Sequence, residues 1–315
     1  MTGDKNINMD TSYKIIEFRD WLRNFKRLSE SSINIYASVI TKFFIEYEED
    51  TLDNMNWFIA KYANKSRSVH YFSVLKSWLE FSFRENRGAY NEIVDNLVRP
   101  RRPKNLKTER QYLKDDDIIE ILNHIKHHEN RIIALIQFLT AARAGDVISV
   151  RRDMIQHEEY QNQKTLKIVL EGKGGKRNVV YIFDTIAIGL IDKYLEKYDN
   201  NMKRIIPEYY ENFVFIKKRK YKKYDIPTDG MMIRRQYYRY WKDLGRAIEL
   251  SGVVDRRKFA THDFRRCFAR KVWEKHKDVD ILKRALNHED ASTTLRYLRQ
   301  SGLQNIEIFK DMTEE

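Results

Sequence analysis

Cysteine is nearly absent from this chain: among 315 residues only Cys267 carries a thiol. One cysteine excludes an intramolecular disulfide and any zinc site built from several thiolates, and it is compatible with a reducing intracellular compartment. No metal is implied. Long apolar runs are missing as well. None approaches the roughly 20 residues that a membrane span requires, and the polar stretch from Met1 to Asp10 has no signal-peptide core. A soluble, non-exported protein with no membrane partner is expected. Acidic residues fall short of basic ones, 46 Asp+Glu against 59 Lys+Arg, for a formal net charge of +13. A polyanion is the partner such an imbalance favours. The 42% hydrophobic and 13% aromatic content excludes a disordered basic coat, and the length allows two domains, each with its own core.

Proline is scarce too, and its placement is informative. Two of the four prolines fall in Arg99 to Arg110, a basic stretch without apolar period, which reads as an extended linker. Before it, Ser12 to Glu85 reads as four amphipathic helices, with Ile15, Phe18, Leu22 and Phe25 on one stripe, Ser31-Ser32 opening the second helix, and Leu52 to Tyr62 and Ser66 to Glu85 forming the others. After it, helices are expected over Asp115 to His127 and Ile132 to Ala142. A hairpin follows, with strands Lys164 to Leu170 and Arg177 to Phe183 joined through Glu171-Gly172-Lys173-Gly174-Gly175-Lys176. Asn212 to Ile216 reads as a last short strand. Thr185 to Tyr198, Gly230 to Leu250, Thr261 to His276, Val279 to Leu286 and Ala291 to Gln300 read as helices. The fold class is mainly α with a small antiparallel β-sheet: a helical domain over 11–98, a basic linker over 99–112, a mixed α+β domain over 113–300 and a tail over 301–315.

The chemistry lies in a dispersed set: Arg143, Lys173, His262, Arg265, His288 and Tyr297. A phosphodiester gains negative charge as it becomes a phosphorane, and guanidinium forks match those oxygens. Asp146, three residues after Arg143, is placed to orient it; the ordinary alternative is a local salt bridge. His262 and Arg265 share the first turn of a helix that Thr261 is placed to cap. Lys173, at a glycine-rich hairpin tip, is placed to protonate a departing 5′ oxygen, where the ordinary alternative is a mobile charged turn. A tyrosine keeps the bond energy in a covalent intermediate, but its pKa of about 10 requires neighbouring cations or a base. Among 19 tyrosines only its place in this set distinguishes Tyr297.

Arg143 with Asp146, Gly172-Lys173-Gly174, His262 with Arg265, Leu286-Asn287-His288 and Tyr297, nine residues after His288, together resemble the signature of the tyrosine recombinases, or phage integrases. The likeness runs from Leu113 to Leu298, and the preceding helices with their basic linker are similar to that family's core-binding domain. Departures from the pattern are Ala141-Ala142 for a glycine and a hydrophobic residue, Asp146 for glutamate, Arg266-Cys267 for His-Thr, and Asn287 for glycine. Asn287 tolerates the left-handed backbone that glycine would supply.

The resemblance implies two domains forming a clamp on DNA, Tyr297 as nucleophile, Arg143 and Arg265 as phosphate clamp, Lys173 as general acid, His262 as base and His288 as a phosphate donor. It also implies a 3′-phosphotyrosine, a Holliday junction and a homotetramer on two sites in double-stranded DNA, with a monomer without DNA allowed and accessory factors admitted. No cofactor is implied. Candidate DNA contacts are Arg99, Arg101, Arg102 and Lys104 in the linker, Lys176 in the hairpin, and Arg234, Arg235 and Arg239 on the helix that carries Tyr237-Tyr238. The expected place is the cytoplasm, on the nucleoid or in a host cell if the protein is viral. Integration or excision of a mobile element is the first function, chromosome- or plasmid-dimer resolution its alternative within the family. A type IB topoisomerase and a non-catalytic DNA-binding protein stand outside it. The tail is expected to dock on a neighbouring protomer.

Overall fold

The computed structural model describes residues 8–62, 67–101, 111–172, 176–201, 213–215 and 229–301. The chain divides into two compact units, Met1–Leu106 and Lys107–Glu315. Unit 1 is helical: α1 (Met9–Asn24), α2 (Glu30–Glu46), α3 (Leu52–Ala60), α4 (Arg67–Ser82) and α5 (Arg87–Asn96). Side-chain oxygens of Asn8, Ser29, Thr51 and Asn86 accept backbone N–H groups at the starts of α1, α2, α3 and α5, satisfying donors that have no partner inside the helix. The cap of α2 is thus Ser29 and not the Ser31-Ser32 pair. The last helix expected here, Ser66 to Glu85, ends earlier, and α5 follows as a separate element. The core is aromatic, with Phe18, Phe43, Phe58 and Trp78 fully buried. Phe18 meets Trp78 edge-on at 5.2 Å, and the Trp78 indole N–H donates to Asp50 at 2.9 Å, so the largest core side chain has its polar atom paired.

Unit 2 runs α6 (Asp115–His124), α7 (His128–Thr140), α8 (Ala144–Ile148), β1 (Ile155–Tyr160), β2 (Gln163–Glu171), β3 (Arg177–Ile182), α9 (Thr185–Asn201), α10 (Asp229–Ser251), α11 (Asp263–His276), α12 (Val279–Ala285) and α13 (Ala291–Ser301). The sheet has the order β1-β2-β3 and is antiparallel throughout, with Ile155 opposite Ile168 and Leu166 opposite Ile182. Leu166, Ile168 and Leu170 alternate into the core, the period-two signal of a half-buried strand. β1 was not expected. It turns into β2 through Gln161 and Asn162, both at positive φ, a two-residue turn of the kind that matches strand twist. The expected strand at 212–216 is a single bridge from Phe213 to Arg151; residues 212 and 216 lie outside the described residues. Helix α6 stops at His124, three residues short of the expected end, because the Asp243 carboxylate accepts the backbone N–H groups of Lys126 and His127. Helix α11 packs on α7 and α12, and α12 on α13, which gathers the functional segments. Among the described residues no helix is long and apolar enough to cross a membrane.

Candidate active site

Two helix ends build the centre of the site. At the end of α7, Ala141 adopts the left-handed conformation with φ 57, and its N–H donates to the Gln137 carbonyl at 3.0 Å. That is a left-handed cap usually given to glycine. It turns the chain so that Arg143 becomes the N-terminal flank of α8. At the end of α12, the N–H of Asn287 donates to Arg284 and that of His288 to Lys283, both at 3.0 Å, with Asn287 at φ 48. This pair of bonds is a Schellman motif, and it delivers His288 directly from the cap. The left-handed Asn287 expected from the sequence is therefore found.

Arg265 joins the two ends. It is buried at 5% exposure; its Nη1 donates to the Ala141 carbonyl at 2.8 Å and its Nη2 to the Leu286 carbonyl. One carbonyl belongs to the left-handed residue of α7, the other to the residue just before the left-handed residue of α12. Arg143 is different: its side chain is 54% exposed and its Nη1 stands 3.7 Å from Asp146 Oδ2. The Asp146 carboxyl is pushed up by burial, while Arg143 and Arg265 pull it down. The base of the β2–β3 hairpin adjoins this pair, since a methyl on Gly172 would stand 3.9 Å from Asp146 Oδ2.

His262 precedes α11. The expected cap by Thr261 is not made; the Thr261 hydroxyl lies 3.3 Å from the Tyr237 hydroxyl, and the turn is closed by Asp263, whose carboxylate accepts from Ala260 N–H at 2.7 Å and from Arg266 at 2.9 Å. Although its ring opens to solvent, neighbouring protein atoms push His262 down to about 4, with Arg265, Arg266 and Arg143 adding to the fall. His288 is also pushed down to about 4, by burial and then by Arg265, Arg143 and His262. Both imidazoles are therefore neutral at pH 7. These mutual influences set Arg143, Arg265, His262 and His288 near one another. The fully buried Thr294 hydroxyl lies 2.9 Å from His288 Nδ1, tying that ring to α13, where Tyr297 follows three residues later.

The remaining candidates divide. The Tyr297 backbone lies in α13, with its side chain outside the described residues, as are Lys173, Arg102, Lys104 and the tail over 302–315. Lys176 pairs with Glu289, beside His288. Arg99, Arg101, Arg234 and Arg235 are exposed, and Arg239 is half-buried. Sequence reasoning missed Thr294, which bonds the His288 ring, Gln137, which bonds the carbonyls just before Arg143 and His262, and Asp263, which closes the turn before α11. The available signal for Gln137 was an amide on the buried face of α7, among Ile132, Ile133 and Ile136.

Two arginines, two imidazoles and a carboxylate thus lie close together in unit 2. The phage integrase family model matches residues 111–302, and the chain belongs to that family, the tyrosine site-specific recombinases, which cleave and rejoin DNA. The tyrosine recombinase XerA of Pyrococcus horikoshii is 24% identical over 276 residues, spanning 86% of this chain and 84% of that protein. The tyrosine recombinase XerD of Rickettsia bellii is 26% identical over 304 residues, spanning 90% and 92%. In fold, the chain is similar to the XerH site-specific recombinase bound to its difH substrate before cleavage, with a TM-score of 0.57 at 14% identity over 94% of this chain and 87% of that one. It is also similar to a lambda integrase tetramer bound to a Holliday junction, with a TM-score of 0.56 at 16% identity over 92% and 84%.

Proposed function

We propose that this chain cuts one strand at each of two paired DNA sites through a 3′-phosphotyrosine on Tyr297 and exchanges strands through a Holliday junction, as a homotetramer. The observation that carries the reading is Arg265, buried and fixed by two helix ends beside Arg143, His262 and His288. Arg143 and Arg265 clamp the non-bridging oxygens, which gain charge in the transition state. The Tyr297 oxygen bonds to phosphorus, its proton passes to neutral His262, and the bond from phosphorus to the 5′ oxygen breaks. Lys173 gives that oxygen a proton. His288 donates through Nε2, which requires Nδ1 to accept from Thr294. Electrons balance, because one phosphodiester replaces another; no external energy source is needed.

Arg99, Arg101, Arg102, Lys104, Lys176, Arg234, Arg235 and Arg239 supply contacts to the DNA backbone. Integration or excision of a mobile element is the role we assign. The tail over 301–315 docks on a neighbouring protomer; truncation at Ser301 that left tetramers and junction resolution intact would defeat that point. The central test is capture. Wild-type chain is incubated with nicked random duplexes, and SDS-resistant protein–DNA adducts are sequenced. We expect one enriched site, an adduct lost in Tyr297→Phe, and recombination between two copies of that site. Adducts that persist in Tyr297→Phe would refute the assignment, and relaxation without recombination would indicate a topoisomerase.

A further inference from the structure

The amide of Gln137 occupies a position between the two halves of the site. Gln137 is 1% exposed, and its Nε2 donates to the carbonyl of Ala142 at 3.1 Å and to the carbonyl of Thr261 at 3.2 Å. Those residues immediately precede Arg143 and His262. Both partners are carbonyls, which can only accept, so the NH₂ end of the amide must face them. The oxygen then faces α10, where the fully buried Tyr240 hydroxyl donates to it at 2.6 Å. Tyr240 therefore fixes which way the amide points. A second contact from the same helix runs from the Tyr237 hydroxyl to the Thr261 hydroxyl at 3.3 Å. The residues Arg234 and Arg235, exposed on α10, lie one to two turns before Tyr240.

We propose that Gln137, oriented by Tyr240, is a positioning residue that sets the spacing between Arg143 and His262 and links that spacing to helix α10. The inference rests on the recombinase reading above. A buried primary amide shared by two backbone carbonyls resists movement of either segment, since such movement would leave a carbonyl unpaired in the interior. A helix that docks on DNA and also orients this amide connects docking to the geometry of the phosphate clamp. Gln137 touches no reacting atom and acts only through the two residues it holds.

The test uses the full chain and the duplex recovered by capture on the wild-type chain. Gln137→Met keeps the volume and removes both donations; Tyr240→Phe keeps the ring and removes the orienting hydroxyl. We expect single-turnover adduct formation to fall by about 10²-fold in Gln137→Met and about tenfold in Tyr240→Phe, the size of a small misplacement at a reacting centre. DNA affinity should stay within about twofold, so that the loss is in the chemical step. In a His262→Gln background, Gln137→Met should cost less than it does alone, because one of the two residues it positions is already gone. A folded Gln137→Met that cleaves at the wild-type rate overturns the proposal, as does a loss matched by equal loss of DNA binding, or full additivity with His262→Gln. If Gln137→Met does not fold, Tyr240→Phe decides on the same readouts. Failure of the wild-type chain itself to form adducts would instead overturn the underlying recombinase reading.

Discussion

Unit 1 and unit 2 bury different chemistry. Among the described residues of unit 1 the buried polar side chains are Thr11 and Ser68, while unit 2 buries Asn130, Gln137, Thr140, Thr165, Gln236, Asp243, Thr261, Asp263, Arg265 and Thr294. Unit 1 is thus held by apolar area and local caps, each tolerant of a fitting substitute. Unit 2 adds a polar interior whose members require particular partners and leave a costly orphan when one is removed. The two units divide accordingly: unit 2, which carries the candidate site, accepts buried polar side chains, and unit 1 largely avoids them.

The sharpest way to break this contrast is to remove each arginine of the site in turn. Arg265→Ala should lower cleavage by about 10³-fold and also destabilise unit 2 by about 2–4 kcal/mol, since two buried carbonyls lose their donor. Arg143→Ala should match the loss of cleavage yet shift stability by less than about 0.5 kcal/mol, its guanidinium being half open to water. Chemical denaturation and single-turnover cleavage, run side by side, would show whether the two effects separate. In unit 1, Trp78→Ala should cost about 3–5 kcal/mol through the cavity it leaves, with single-turnover cleavage by the folded fraction unchanged; a slower chemical step there would mean that the two units are not independent in this respect.

A further effect concerns pH. His262 and His288 have folded pKa values near 4 against about 6.5 unfolded, so in this window the unfolded chain binds more protons and stability rises with pH. The contribution is fully present above about 6.5 and is lost as pH falls toward 4. Asp146, pushed up by burial, works in the opposite sense at the acid end, so the clean comparison is pH 7 against pH 5. Urea midpoints should drop over that interval, and less so in His262→Gln; an equal drop in that variant would remove His262 from the account.

Most helices of both units were legible because their apolar residues recur at three and four, as in Ile15, Phe18 and Leu22. The hairpin of β2 and β3 was legible from its glycines. Strand β1 was not: Gln156, His157, Glu158 and Glu159 lie largely in solvent, and its turn, Gln161-Asn162, carries no glycine to announce it. The site's charged residues could be named from their order and spacing, while the holders could not. Gln137 meets Thr261 across 124 positions and Tyr240 across 103, and no local pattern records such a pairing. Thr261 illustrates the reverse error, a plausible local cap displaced by Asp263, which serves Ala260 and Arg266 at once.

The carbonyls that grip Arg265 close α7 and follow α12, and the end of a helix carries about half a negative charge from its aligned peptide dipoles. Two such ends facing one guanidinium ease its burial before any DNA arrives, by partial charges that belong to the backbone and cannot be titrated. A carboxylate in their place would cancel the cation outright and compete with the incoming phosphate. Fractional, immovable counter-charges hold the arginine without neutralising it.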